Sequence, residues 1–151
     1  MMFNRITALR GASAIVCLML MLTLPVAAQT PTAAARPTVV YHIDDSRRAI
    51  PLIRSIGNHR RADADIRIIV VALSAGVDFL VEGAADDRGN SYDALVDPLM
   101  LEGVEFRVCG NTLTGRQIDA ATLLPDVTVV PSGVAEIARL QIEEGAAYIK
   151  P

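Results

Sequence analysis

A chain of 151 residues is sized for one domain, and 52% hydrophobic against 21% charged residues is a globular composition, not a disordered one. The net charge is −3, and two of the 14 basic residues, Arg5 and Arg10, lie in the first 28 residues while no acidic residue does; the rest is more acidic still, which excludes a phosphate-backbone binder with a concentrated basic face. The two cysteines are Cys17, in that leading segment, and Cys109, so after cleavage neither an internal disulfide nor a zinc site built mainly from thiolates is available.

Residues 1–28 read as a signal peptide. Two arginines precede an apolar stretch from about Ala12 to Leu24, and Val26 and Ala28 fit the small pockets of a signal peptidase, with Gln29 as the new first residue. The stretch is short for a membrane span, which needs roughly 20 residues; an uncleaved anchor is the alternative, and the only membrane contact expected. Residues 29–37, proline-flanked and rich in alanine, read as a linker. The expected location is the periplasm of a Gram-negative bacterium. The domain then runs from 38 to 151.

Thr38–Ile43 is β-branched and aromatic, a strand stopped by Asp44-Asp45-Ser46. Arg47–Arg61 carries Ile50, Leu52, Ile53 and Ile56 at helical spacing, and Pro51 must sit in its first turn or kink it. Ile66–Leu73 is almost continuously aliphatic, as a strand covered on both faces should be. Val77–Val81 reads as a short helical turn and Glu82–Asn90 as a polar loop. Tyr92, Leu95, Val96, Leu99 and Met100 form one stripe of a helix, ended by Gly103. Val104–Cys109 is a third strand. Thr114 and Gln117 have capping-box spacing for a helix running to about Leu123, ahead of Pro125. Val127–Val130 is a fourth strand; Ser132 caps a helix whose apolar positions are Val134, Ile137, Ala138 and Ile142, closed by a left-handed Gly145. Ala146–Lys150 supplies a last strand.

Alternating strands and helices with aliphatic strands predict an α/β fold, a parallel sheet sandwiched by helices. Right-handed crossovers gather the strand-to-helix loops along its carboxyl edge, where sites in such sheets collect. Four segments are expected to meet there: His42–Ser46, Ser74–Val77, Cys109–Thr112 and Pro131–Gly133. Cys109 is their only strong nucleophile, and the N–H groups of Gly110, Asn111 and Thr112 are placed to favour its thiolate. A buried cysteine acting as small apolar filler is the competing role. His42, at a strand end, is a candidate acid–base or anion-binding group. Gly110, whose lack of a side chain opens the sulfur to approach, joins Asn111, Thr112, Gly76 and Ser132 in the candidate binding set. Asp44-Asp45 lacks the Asp-x-Asp spacing of haloacid-type phosphatases, and Asp45 or Ser46 is better read as a helix cap. His42, His59 and one cysteine make a poor metal set, and no metal is expected. G-x-S-x-G, G-x-G-x-x-G and Walker motifs are absent. Few aromatic residues argue against planar cofactors such as flavins, and no cofactor is expected.

The segments VVYHIDD, NHRRADADIRIIVVALSAGVDFL, LEGVEFRVCGNTL and VVPSGVAEIARLQIEEGAAYIKP together resemble the DsrE/DsrF-like family of small sulfur-relay proteins, across about residues 38–151. The resemblance implies a three-layer α/β/α sandwich on a mainly parallel five-stranded sheet, and self-assembly into trimers or hexamers. It also implies a sulfur carrier in which Cys109 bears the persulfide, with a donor or acceptor protein as partner. Asn111 and Thr112 would then hold the terminal sulfur or its anionic donor, and His42 would assist proton movement. With no second cysteine to resolve a persulfide, transfer would be intermolecular. The alternative is a non-catalytic oligomeric module that binds a small anion or a protein at the same edge.

Overall fold

The computed structural model describes residues 36–151; the expected signal peptide and all but the last two linker residues lie outside the described residues. Five strands form one parallel sheet: β1 (Thr38–Asp45), β2 (Arg67–Ala75), β3 (Glu105–Cys109), β4 (Thr128–Val130) and β5 (Ala147–Ile149), in spatial order β4-β3-β2-β1-β5. Four α-helices connect them: α1 (Ala49–Ala62), α2 (Asp93–Leu101), α3 (Gly110–Arg116) and α4 (Gly133–Glu143). The strands β1 to β4 step outward in one direction, so right-handed crossovers put α1, α2 and α3 on a single face. The chain then returns over the opposite face through α4 to lay β5 beside β1.

Each strand is sorted by this layering. Val39, Tyr41 and Ile43 of β1, Ile68, Val70 and Ala72 of β2, and Phe106 and Val108 of β3 point into the larger core with Leu52, Ile56, Phe79, Val96 and Leu113. Val40, Ile69 and Val71 point the other way, under Ile137 and Leu140 of α4. This two-sided burial is why the strands read as unbroken aliphatic runs. Burying Phe79 and Phe106, packed edge to face, contributes about 3 kcal/mol each.

The α4 layer is held by charge as well as by packing. Arg107 of β3 bridges Glu136, in the first turn of α4, to Glu105. Arg67 of β2 reaches Glu144 at 2.6 Å and Glu105 at 2.7 Å, and Arg139 completes the network against Glu136 and Glu144. Arg107 and Glu136 are the least exposed pair, at 14% and 12%, so this clamp fixes the start of α4 on β3.

Three expectations need correction. The Thr114/Gln117 capping box does not open a helix: the helix starts at Gly110, directly off β3, with Cys109 as its cap residue. Thr114 is interior, and Gln117, at φ 55°, ends the helix; a separate 3-10 turn at Ala120–Thr122 follows. The apolar stripe of α4 is misassigned in part, since Gly133, Ile137 and Leu140 face the sheet while Val134 and Ile142 stand 66% and 81% exposed. The first strand does not stop before Asp44-Asp45; both belong to β1, and Asp45 accepts from the Arg47 N–H to cap a 3-10 turn at Ser46–Arg48 that leads into α1. Pro51 sits in the first turn of α1, Ser132 caps α4, and Gly145 has φ 66° beyond it.

Candidate functional site

Cys109 closes β3 beside Val130 at the end of β4. From that point α3 departs into one layer and α4, one strand over, into the other. Adjacent strands whose exits diverge in this way leave a crevice at their carboxyl ends, where α/β sheets place their sites. The Cys109 sulfur therefore meets the first turns of two helices at once.

Burial is the largest single influence on this thiol and pushes its pKa up. The Gly133 N–H, the Thr112 hydroxyl and the N–H groups of Thr112 and Asn111 pull the other way, and together they hold it below the ordinary thiol value. The pull comes from converging dipoles at two helix starts rather than from close, ideal hydrogen bonds. Cys109 is 6% exposed, yet it lies just under the sheet edge. Its cover is thin.

Glycine makes the convergence possible. A Cβ on Gly133 would stand 2.6 Å from Leu73 Cδ2 and 3.0 Å from Cys109 Cβ, so only glycine lets α4 begin against the cysteine. Gly110 serves a similar purpose on the other side: a Cβ there would lie 3.1 Å from the Val130 carbonyl oxygen, and its absence lets α3 press against the end of β4. Asn111 donates its N–H to the Pro131 carbonyl at 3.2 Å, tying α3 to the β4–α4 turn, and its side chain is exposed.

Thr112 Oγ1 accepts the Ser74 N–H at 3.1 Å. Ser74 stands in a bulge, since β2 places two residues, Leu73 and Ser74, between Ala72 and Ala75 where β1 places only Asp44 between Ile43 and Asp45. Its φ of 53° lies in the left-handed region. Arg116 reaches back from the end of α3 to the Ser74 carbonyl at 2.9 Å and to Asp78 at 2.7 Å.

The other candidates sit apart from the sulfur. Ser132 uses its side chain to accept the Ala135 N–H at 3.5 Å. Gly76 packs under β1, where a Cβ would be 2.4 Å from the Ile43 carbonyl oxygen. His42 is on the same sheet face as Cys109 but two strands away, about 10 Å sideways. Its Nδ1 bonds the Tyr148 hydroxyl at 2.7 Å, and its Nε2 is buried without a partner. Burial, with help from Lys150 and against Asp44, lowers its pKa; Lys150 itself bonds Asp44 at 2.6 Å. Cys109, Gly110, Asn111 and Thr112 thus come together, and His42 and Gly76 do not join them. Ser74 and Gly133 lie in two of the segments expected at this edge but were given no role there, and Arg116 escapes the sequence reading; a glycine following a capping serine just after a strand is the one local signal that could have singled out Gly133.

Among the described residues no group of three His, Cys, Asp or Glu side chains is arranged to hold a metal ion, and no helix is long and apolar enough to cross a membrane. Clefts of about 430 and 520 Å³ open elsewhere, the first lined by Arg47, Arg54, Asp78 and Tyr92, the second by Met100, Leu124 and Asp126; neither touches Cys109.

A family model described as the DsrE/DsrF-like family matches residues 32–151. Among solved structures, the protein of unknown function MTH1491 from Methanobacterium thermoautotrophicum is 41% identical, with a TM-score of 0.66 over 76% of this chain and 99% of that one. The ychN protein of E. coli is 17% identical, with a TM-score of 0.62 over 77% and 99%. BT1422 from Bacteroides thetaiotaomicron is 14% identical, with a TM-score of 0.55 over 82% and 100%; these last two are likenesses of fold. A comparison with curated proteins gives no match.

Proposed function

The chain belongs to the DsrE/DsrF-like family, a family associated with sulfur relay, and from that membership and the surroundings of Cys109 we propose that it is a sulfur carrier working through a single cysteine persulfide. The observation that carries this reading is that Cys109 caps α3 beside the start of α4, where the Gly133 and Thr112 N–H groups and the Thr112 hydroxyl favour its thiolate against the cost of burial. A thiolate so held attacks the sulfane sulfur of a donor persulfide. The new S–S bond forms at Cys109 as the donor's S–S bond breaks, and the donor departs as its own thiolate. The terminal sulfur then carries the negative charge. In the second step an acceptor thiolate attacks that terminal sulfur, takes it, and returns Cys109 as a thiolate. No oxidant is consumed in either step. Cys109 is the only cysteine beyond the leader, so donor and acceptor are separate molecules.

Export belongs to the same reading: the leader delivers the domain to the periplasm, where the carrier meets its partners. So does self-assembly. Val134, Ala138 and Ile142 make an exposed apolar stripe along the outer side of α4. A second copy seated on that stripe would cover the outer side of α4, in a trimer or hexamer. Light scattering tests this, with Val134→Glu and Ile142→Glu expected to release monomers.

Incubation of the purified protein with polysulfide should add about 32 Da, one sulfur atom, to the intact mass, and the addition should vanish in Cys109→Ser. Absence of the adduct under each donor tried, with the folded protein otherwise intact, would favour the binding-module alternative.

A further inference from the structure

Thr112 stands three residues after Cys109, the cap residue of α3, so its side chain lies over the cysteine and its hydroxyl favours the thiolate; what it does with its single hydrogen depends on residues beyond the cysteine. A threonine hydroxyl has one hydrogen to give and two lone pairs to offer. In a helix interior that hydrogen commonly goes to the carbonyl four residues back. Thr112 is in the first turn of α3, so the residue four back, Val108, is still in β3 and offers no helical carbonyl. The Ser74 N–H at 3.1 Å occupies the oxygen and thereby turns the hydrogen away from Ser74.

Ser74 is poorly suited to hold this position unaided. A non-glycine residue in the left-handed region costs about 1–2 kcal/mol, and Ser74 is itself exposed. Its carbonyl is held from two sides, by the Val77 N–H at 3.3 Å and by the Arg116 guanidinium at 2.9 Å. Asp78 fixes that guanidinium at 2.7 Å, and Asp78 begins a 3-10 turn whose Phe79 and Leu80 are fully buried. The chain of contacts therefore runs from a rigid part of the core, through Asp78 and Arg116, to the bulge, and from the bulge to Thr112.

We propose that Arg116 is a positioning residue for Cys109: by gripping the Ser74 carbonyl it fixes the β2 bulge so that the Ser74 N–H engages Thr112 Oγ1 and the Thr112 hydrogen is left for the sulfur. This rests on Cys109 working as a thiolate, as proposed above. Arg116 touches neither the sulfur nor anything the sulfur would bind. One guanidinium nitrogen makes both contacts, so the arginine ties the carbonyl to the carboxylate at a single point.

The test is the pH dependence of Cys109 alkylation by iodoacetamide in four proteins: wild type, Arg116→Ala, Thr112→Val and the double variant, with thermal melts run alongside. Thr112→Val is expected to slow alkylation near neutral pH about tenfold by raising the thiol midpoint. Arg116→Ala is expected to slow it three- to tenfold, Arg116→Lys less. The double variant should be no slower than Thr112→Val alone, because the effect of Arg116 passes through that hydroxyl. Additive slowing would overturn the proposal, since it would mean that the arginine acts on the sulfur by its charge alone. So would an Arg116→Ala protein that melts earlier yet keeps the wild-type midpoint. Failure of the sulfur-carrier reading looks different: the midpoints move as described while no sulfur adduct forms on the wild type.

Discussion

Replacing Gly133 with alanine tests the packing that brings α4 to the cysteine. The new methyl would lie 2.6 Å from Leu73 Cδ2, 3.0 Å from Cys109 Cβ and 3.4 Å from Val71 Cγ1. Leu73 is only partly buried, and its terminal methyl can swing aside. The Cys109 Cβ is fixed to the end of β3 and cannot, so the start of α4 must lift by a few tenths of an ångström. Overpacking of this kind costs about 1–3 kcal/mol, while alanine regains up to about 1 kcal/mol over glycine in a helix. The net expectation is a loss of about 1–2 kcal/mol, a drop of roughly 4–8 °C in melting temperature for a domain of this size. Lifting α4 also withdraws the Gly133 N–H from the sulfur, and a loss of about 1 kcal/mol of thiolate stabilisation raises the thiol midpoint by somewhat under one pH unit. Thermal melts by circular dichroism and the pH profile of alkylation read the two effects separately. A variant with unchanged melting temperature and unchanged midpoint would refute the reasoning, because the methyl would then have found room that the packing denies it.

Gly76→Ala should be the more damaging glycine substitution: its methyl meets the Ile43 carbonyl oxygen at 2.4 Å and the Asp44 nitrogen at 2.8 Å, both backbone, and a loss of about 3 kcal/mol is expected by denaturant titration. Because folding lowers the Cys109 pKa, wild-type stability relative to Cys109→Ser should rise as pH climbs through the lowered value. It should level off above the ordinary thiol value, and the advantage should disappear as pH falls through the lowered one; urea titrations in reductant across that range measure it, and a flat difference would contradict the assignment. Glu136→Gln weakens the Arg107 and Arg139 contacts at the first turn of α4, and about 1–2 kcal/mol should be lost, read again by denaturant titration.

The layered sheet was legible because its physics is local. Runs such as Ile66–Leu73 declare two-sided burial, and Ser132, Gly103 and Gly145 mark helix ends by their own conformational preferences. Cys109 at a strand end was legible for the same reason. The capping-box spacing of Thr114 and Gln117 misled because the strand delivers the chain straight into α3, and Gln117 takes up a left-handed conformation that its residue type does not announce. In α4 the apolar residues lie on two faces, Ile137 and Leu140 toward the sheet and Val134 and Ile142 away, and a single periodicity cannot divide them. Arg116, and the packing role of Gly133, were out of reach because that work appears only where β2, β3 and the β4–α4 turn meet in space. His42 was expected at a strand end, but β1 runs on past it to Asp45, and the strand order, which sets its sideways distance from Cys109, is a property of the whole sheet.

The central claim is that two helix starts share one sulfur and favour its thiolate. Ultraviolet titration of the folded, reduced protein near 240 nm, with Cys109→Ser as the blank, measures this directly. The account predicts a midpoint clearly below the ordinary free-cysteine value of about 8.5. A midpoint at or above that value would mean that burial outweighs the converging amides, and that Cys109 fills space in the sheet edge instead of carrying charge.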